Sequence, residues 1–284
     1  MTLLTLLAAT GTGTTPPDPE GLAPVTDAYL APFRPPRAAT VTVGPPGSGA
    51  EHETMAAGIA AAAAHPARSA TAFVWVAVHP GTYVLPGDTH LHLTWDGLWI
   101  GSTTGNPADV TIRSTGTNLG VIWARRRLYL EGITLNAQGG SKYALHITPN
   151  DANCTIVAAR CTIASSSPGV GAAGALGQDA QPSGLAILAD CEVTATGGTV
   201  SMITHGLDGA ATPTDLVFKD CTIGGPINYS ASGQPDRVWV PGTTSTACNA
   251  PGAVVHTNGA SSVGTITSAS TATNGDSHPM PVWT

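Results

Sequence analysis

The side chains best equipped for chemistry are few and scattered. His90 and His92 alternate along Thr89-His-Leu-His-Leu-Thr94 and so share one face of a strand. A third ligand would make such a pair a metal site; without one they read as an exposed strand pair, and no metal or cofactor is expected. His146, in Leu145-His-Ile, and His205 and Asp208, in Thr204-His-Gly-Leu-Asp208, follow strand-like runs and could line a groove for sugar hydroxyls. Trp95, Trp99, Trp123 and Trp239 could stack on sugar rings, although Trp99 in Leu98-Trp-Ile100 reads more simply as core. Arg125-Arg-Arg127 reads as a solvated turn or a subunit contact rather than an anion site.

The elements that must carry these residues are written in a repeat. Cys161, Cys191 and Cys221 are spaced 30 residues apart, in Ala-Arg-Cys-Thr-Ile, Ala-Asp-Cys-Glu-Val and Lys-Asp-Cys-Thr-Ile. Leu128-Tyr-Leu-Glu-Gly-Ile-Thr-Leu135 is a fourth copy, with Ile133 in the cysteine position. Such a period in short β-branched runs is the signature of a stacked solenoid. In Leu216-Val-Phe-Lys-Asp-Cys-Thr-Ile223, Leu216 and Phe218 point inward, Asp220 breaks the alternation, and Cys221 and Ile223 point inward again. Each unit is therefore strand, tight corner, strand. Gly132, Arg160, Asp190 and Asp220 hold the successive corners; Gly and Asp tolerate the special dihedrals, and Arg is the poorer fit. Coils would stack about 4.8 Å apart, placing the three cysteines in an interior column. Three thiols in a column cannot all pair, and the total of five is odd. Packing as small hydrophobes is expected over a disulfide framework.

Composition agrees with many short strands. Of 284 residues, 42% are hydrophobic, only 10% charged, and Gly (34) and Pro (23) are plentiful. The net charge of −7 argues against nucleic-acid binding. No run is long enough to span a membrane. Met1-Thr-Leu-Leu-Thr-Leu-Leu lacks a basic start, and its short apolar run is broken by Thr5, so it is read as retained rather than as an export signal. Residues 11–39 are rich in Pro, Thr and Gly and cannot bury a core of their own. Residues 1–39 therefore read as an extended docking arm, with Leu3, Leu4, Leu6, Leu7 and Phe33 as its contacts and no part in the folding of the remainder. Residues 51–65 form an alanine-rich helix with Met55 and Ile59 on one face, suited to capping the open end of a solenoid. Coils occupy 40–240, and 241–284 is an irregular tail that finishes the solenoid or packs on a neighbour.

Thr42-Val-Gly-Pro-Pro-Gly-Ser-Gly49, the helix with Ile59, Val76-Ala-Val-His-Pro-Gly-Thr-Tyr83 and the repeated Asp-Cys-x-Ile phrases resemble the entry and coils of the pectin methylesterase and pectate lyase-like proteins over residues 40 to 240. The resemblance implies an all-β fold: a right-handed, single-stranded parallel β-helix with an N-terminal capping α-helix, preceded here by the extended arm. For the esterases it implies an aspartate nucleophile, an aspartate general acid, glutamine donors and an arginine. This chain offers Gln178 and Asp179 in Gly-Gln-Asp-Ala180, and Arg237 in Arg-Val-Trp239, but the nucleophile position holds Asn228 in one register and Ser201 in the other. A lyase would need calcium-binding carboxylates, and no acidic cluster is visible. The missing carboxylate weighs against an enzyme.

Three readings follow. The chain is a structural virion protein, a bacteriophage minor tail or appendage member with a degenerate coil, joined to other tail proteins through its arm. It is a non-catalytic module binding host envelope polysaccharide. Or it is a secreted polysaccharide esterase or lyase with a shifted catalytic set. The first is preferred, with location in the virion tail rather than secretion, and a homo-oligomer, a trimer by analogy with other shafts.

Overall fold

Most strands up to residue 240 are apolar on alternate residues or throughout, and they pair with strands one coil away. A computed structural model describes residues 22–116, 120–139, 143–147, 154–166, 174–180, 184–195, 202–206, 215–230, 237–250, 252–258, 261–267, 270–273 and 277–283. The entry comprises β1 (Arg37–Val43), helix α1 (Met55–Ala64) and a first coil of β2 (Phe73–Val78), β3 (Gly81–Leu85) and β4 (Leu91–Leu93). Then follow β5 (Leu98–Ser102), β6 (Val110–Ser114) and β7 (Gly120–Ala124); β8 (Leu128–Glu131), β9 (Thr134–Ala137) and β10 (Tyr143–Ile147); β11 (Cys154–Ala159), β12 (Thr162–Ser165) and β13 (Gly174–Ala180). Next come β14 (Gly184–Ala189), β15 (Glu192–Ala195) and β16 (Met202–Gly206); β17 (Asp215–Lys219), β18 (Thr222–Ile223) and β19 (Ile227–Ser230). The last are β20 (Arg237–Trp239), β21 (Thr244–Asn249), β22 (Val254–Thr257), β23 (Ser262–Thr267) and β24 (Ser270–Thr273).

These strands form two sheets with parallel pairing. The first runs β1-β2-β5-β8-β11-β14-β17-β20-β22-β24. The second has one limb β3-β6-β9-β12-β15-β18 and another β4-β7-β10-β13-β16-β19, joined through β21, with β23 on β21. The chain is thus all-β, in stacked parallel sheets compatible with a β-helix. Strands β21 to β24, beyond residue 240, extend both sheets.

The corners behave as their residue types require. Gly132 (φ 59°), Arg160 (φ 50°), Asp190 (φ 53°) and Asp220 (φ 53°) are all left-handed, and Gly242 (φ 67°) continues the series. Each corner amide donates to a carbonyl of the next coil: Gly132 to Ala159, Arg160 to Ala189, Asp190 to Lys219, Asp220 to Pro241. Arg160, the poor fit by propensity, is held by ion pairs to Asp27 and Asp190.

Inside, Leu216, Phe218, Cys221 and Ile223 join one continuous core with their equivalents in the other coils, as the alternation requires. The thiols of Cys191 and Cys221 donate to the carbonyls of Ala158 and Leu188, 3.3 Å away in each case. All five cysteines are free and buried. Burial raises the Cys161 and Cys191 thiols well above their ordinary value and pushes Cys248 up to about 11. Native protein is therefore expected to react with a disulfide reagent such as Ellman's at none of the five thiols on the minutes timescale, and at all five in denaturant.

Helix α1 starts at Met55 rather than Glu51, because Thr54 accepts from the Ala57 amide as N-cap while Glu51 turns back to accept from the Thr42 amide at 2.8 Å. Met55, Ile59 and Ala62 join the end of the core, and Gly58 packs over Val43.

The larger correction concerns the arm. Residues 22–36 lie on the outer face of the first sheet of their own chain. Leu30 and Phe33 are buried there with Phe73, Trp75, Trp99, Tyr129, Val157, Ile187 and Val217. Arg34 pairs with Glu131 through Nε and one Nη, Asp27 with Arg160, and the Tyr29 hydroxyl donates to Asp220 at 2.7 Å. The segment is a strap tying several coils together. Phe33, expected as a contact for another protein, is 2% exposed; its ring is used in cis. From the other end, Trp283 meets Phe73 edge-on and donates its indole N–H to the Phe33 carbonyl at 3.0 Å. Leu3, Leu4, Leu6 and Leu7 lie outside the described residues.

Candidate functional site

Strands β4, β7 and β10 carry the densest group of functional side chains. Their registers place His92 beside Trp123 and Trp123 beside His146. Inward Leu91, Ile122 and Leu145 fill the core, which turns the intervening residues outward. His92 stacks on Trp123 at 4.4 Å and 15°, Trp123 on His146 at 5.5 Å, and His146 on Tyr143 at 4.9 Å. His90 leans on both His92 and Trp123 at 5.7 Å, and the Arg125 guanidinium lies 5.2 Å from the Trp123 ring centre. This ladder spans three coils. Sequence reading named His90 with His92, named Trp123, His146 and Arg125 apart, and missed both Tyr143 and the unit, because loops of unequal length hide the register; the alternation of His90 and His92 was the available signal.

Burial lowers the pKa of His90, with a contribution from His146, and that of His92, with contributions from His90 and Arg125. A histidine whose folded pKa is depressed binds its proton more readily in the unfolded chain. Stability is then intact above the unfolded value of about 6.5 and is lost as pH falls toward the folded values. The melting temperature is expected to be level from pH 8 to 7 and to fall between pH 6.5 and 5. The variant His92→Gln should flatten that fall, and an unchanged slope would remove the ladder as its cause.

His146 is 4% exposed, enclosed between Trp123 and Tyr143, and does not line an open groove as expected. His205 lies on β16 of the same limb, where its backbone registers with Asp179 and Ser230. Gln178 registers with Thr204. Asn228 follows His146, Gly177 and Ile203 along one row of that limb. Trp239 is on β20 of the first sheet, stacked on His256 at 3.6 Å and 10°, and so does not join His146 and His205. Arg237 is on that sheet too, its guanidinium clamped on Asp215 by two 2.6 Å bonds. Arg237 thus lies on a different sheet from the limb that carries Asp179 and Asn228, and its guanidinium is engaged by Asp215. Ser201 and Asp208 lie outside the described residues. Among the described residues, no three His, Cys, Asp or Glu side chains gather as a metal-binding group, and no helix is long and apolar enough to cross a membrane.

No family model, curated protein or solved structure matches this chain. The likeness to pectin methylesterases and pectate lyases therefore rests on the short sequence phrases and on the parallel stacking alone.

Proposed function

We propose that this chain is a non-catalytic structural protein, a right-handed pectin lyase-like β-helix used as a rigid shaft, of the kind found among bacteriophage minor tail and appendage proteins. One observation carries the reading: Arg237, Trp239 and His146, described residues named as site candidates whose side chains are placed, are packed against other side chains of this chain. Arg237 is committed to Asp215, Trp239 to His256, and His146 to Trp123 and Tyr143. The strap adds bracing from coil to coil, through Glu131, Arg160 and Asp220, which suits a load-bearing rod. In this reading the protein works in the virion tail, beside other tail proteins, as a homo-oligomer with three copies the preferred number.

The test combines light scattering with an assay for acid release from methyl-esterified and acetylated polysaccharides. A defined oligomer releasing no acid supports the shaft. Acid release that disappears in Asp179→Asn would overturn it and return the chain to the esterases.

A further inference from the structure

At the entry of the stack, β3 is an edge strand: among the described residues it pairs only with β6. The Gly81 amide donates toward that side, to the Asp109 carbonyl at 2.8 Å. Backbone groups alternate along a strand, so the N–H and C=O of Thr82 and Val84 face the other way, toward the free edge. A groove of about 420 Å³ runs along this edge, walled by Pro45, Pro46, Met55, Tyr83, Leu85 and Pro86. Val84 is 48% exposed, a large apolar side chain standing at its rim. An unpaired edge beside an apolar groove is the geometry that takes up an extended segment as an added strand.

We infer that the groove is filled by Thr2–Leu7 of the same chain, lying as an extra strand on β3. Position argues for this occupant. The carbonyl of Leu22, the first described residue, accepts from Arg37 at 2.9 Å, at the start of β1. The groove opens at the other end of β1, where Pro45 and Pro46 follow Val43. Seven strand residues cover about 23 Å, whereas the fourteen residues from Ala8 to Gly21 can reach about 46 Å. The segment can therefore cross with slack to spare. Chemistry agrees: in Thr2-Leu-Leu-Thr-Leu-Leu7, Leu4 and Leu6 would face one side of an extended strand and Leu3 and Leu7 the other. One side would fill the groove, and the other would cover Val84. The added strand would blunt an edge that otherwise invites pairing with another chain. The inference does not depend on the virion reading.

The test places a photo-crosslinking amino acid at Val84 in the full-length protein and maps the products by mass spectrometry. The expected result is an intrachain link to residues 2–8, reduced at least tenfold by Leu4→Asp with Leu6→Asp. In parallel, Val84→Glu should speed chymotryptic cleavage after Leu3 to Leu7 about tenfold while leaving the far-ultraviolet β signal unchanged. Links to another segment, no protein link at all, or covalent dimers joined through residues 2–8 would each overturn docking in cis, the last by assigning the groove to a second copy.

Discussion

Arg34→Met is expected to destabilise the protein by about 3 kcal/mol or more, the cost of leaving a buried partner charge unpaired. Glu131 ends β8 with its side chain 6% exposed, under the strap, and Arg34 meets it with both Nε and an Nη. The Tyr129 phenol beside it is held protonated by burial and then by Glu131, so it is neutral and supplies no positive charge to replace the guanidinium. Methionine keeps most of the apolar stem, so the loss reads the charge rather than the packing. The double variant Arg34→Met with Glu131→Leu should recover most of the loss, since a well-packed apolar pair replaces a buried ion pair at little cost. Urea unfolding of the two variants measures both values. Tryptophan emission supplies a second readout: if the single variant frees the strap, Trp75, Trp99 and Trp283 meet water and their emission shifts to the red. A single variant as stable as the parent would mean that the pair is solvated and that the strap is held without it, by Leu30, Phe33 and the Asp27 and Tyr29 contacts.

Much of this architecture was legible in the sequence, and the residues show why. The corner at Asp220 could be read because the broken alternation between Phe218 and Cys221 falls on an aspartate, a residue type that tolerates the left-handed conformation found there. The strap was not read, although its signal was present. Phe73-Val-Trp-Val-Ala-Val78 and Cys154-Thr-Ile-Val-Ala-Ala159 are buried at every position, as parallel strands are when both faces are covered. The interior accounts for one face only. Something had to cover Trp75, Val157, Ile187 and Val217 from outside, and residues 22–36 offered Leu22, Tyr29, Leu30 and Phe33. Composition misled here, because a Pro-rich segment that cannot form its own core can still complete another. The functional residues were hardest to read, since His92, Trp123 and His146 are brought together only by loop lengths that follow no period.

The corner column supports the second large effect, which separates positions the repeat makes equivalent. Gly132→Ala is expected to cost about 2–5 kcal/mol, whereas Asp190→Gly should leave stability within about 1 kcal/mol of the parent. Both residues are left-handed, so backbone preference alone gives alanine at 132 a cost of about 1–2 kcal/mol. Space decides the remainder. A Cβ on Gly132 would sit 2.7 Å from both the carbonyl carbon and oxygen of Gly105 and 2.9 Å from its Cα, all backbone atoms that cannot rotate away. Gly105 is also hemmed in from outside, where a Cβ of its own would lie 2.8 Å from Val25 Cγ2 in the strap. The coil and the strap would have to shift together. At Asp190 the native residue already carries a Cβ, and glycine loses only the exposed 3.2 Å contact with Arg160 while relieving the left-handed strain. Thermal unfolding of the two variants reads the difference directly. A Gly132→Ala loss of only about 1–2 kcal/mol would mean that dihedral preference alone governs the corner and that the tight approach of Gly132 to Gly105 relaxes without cost.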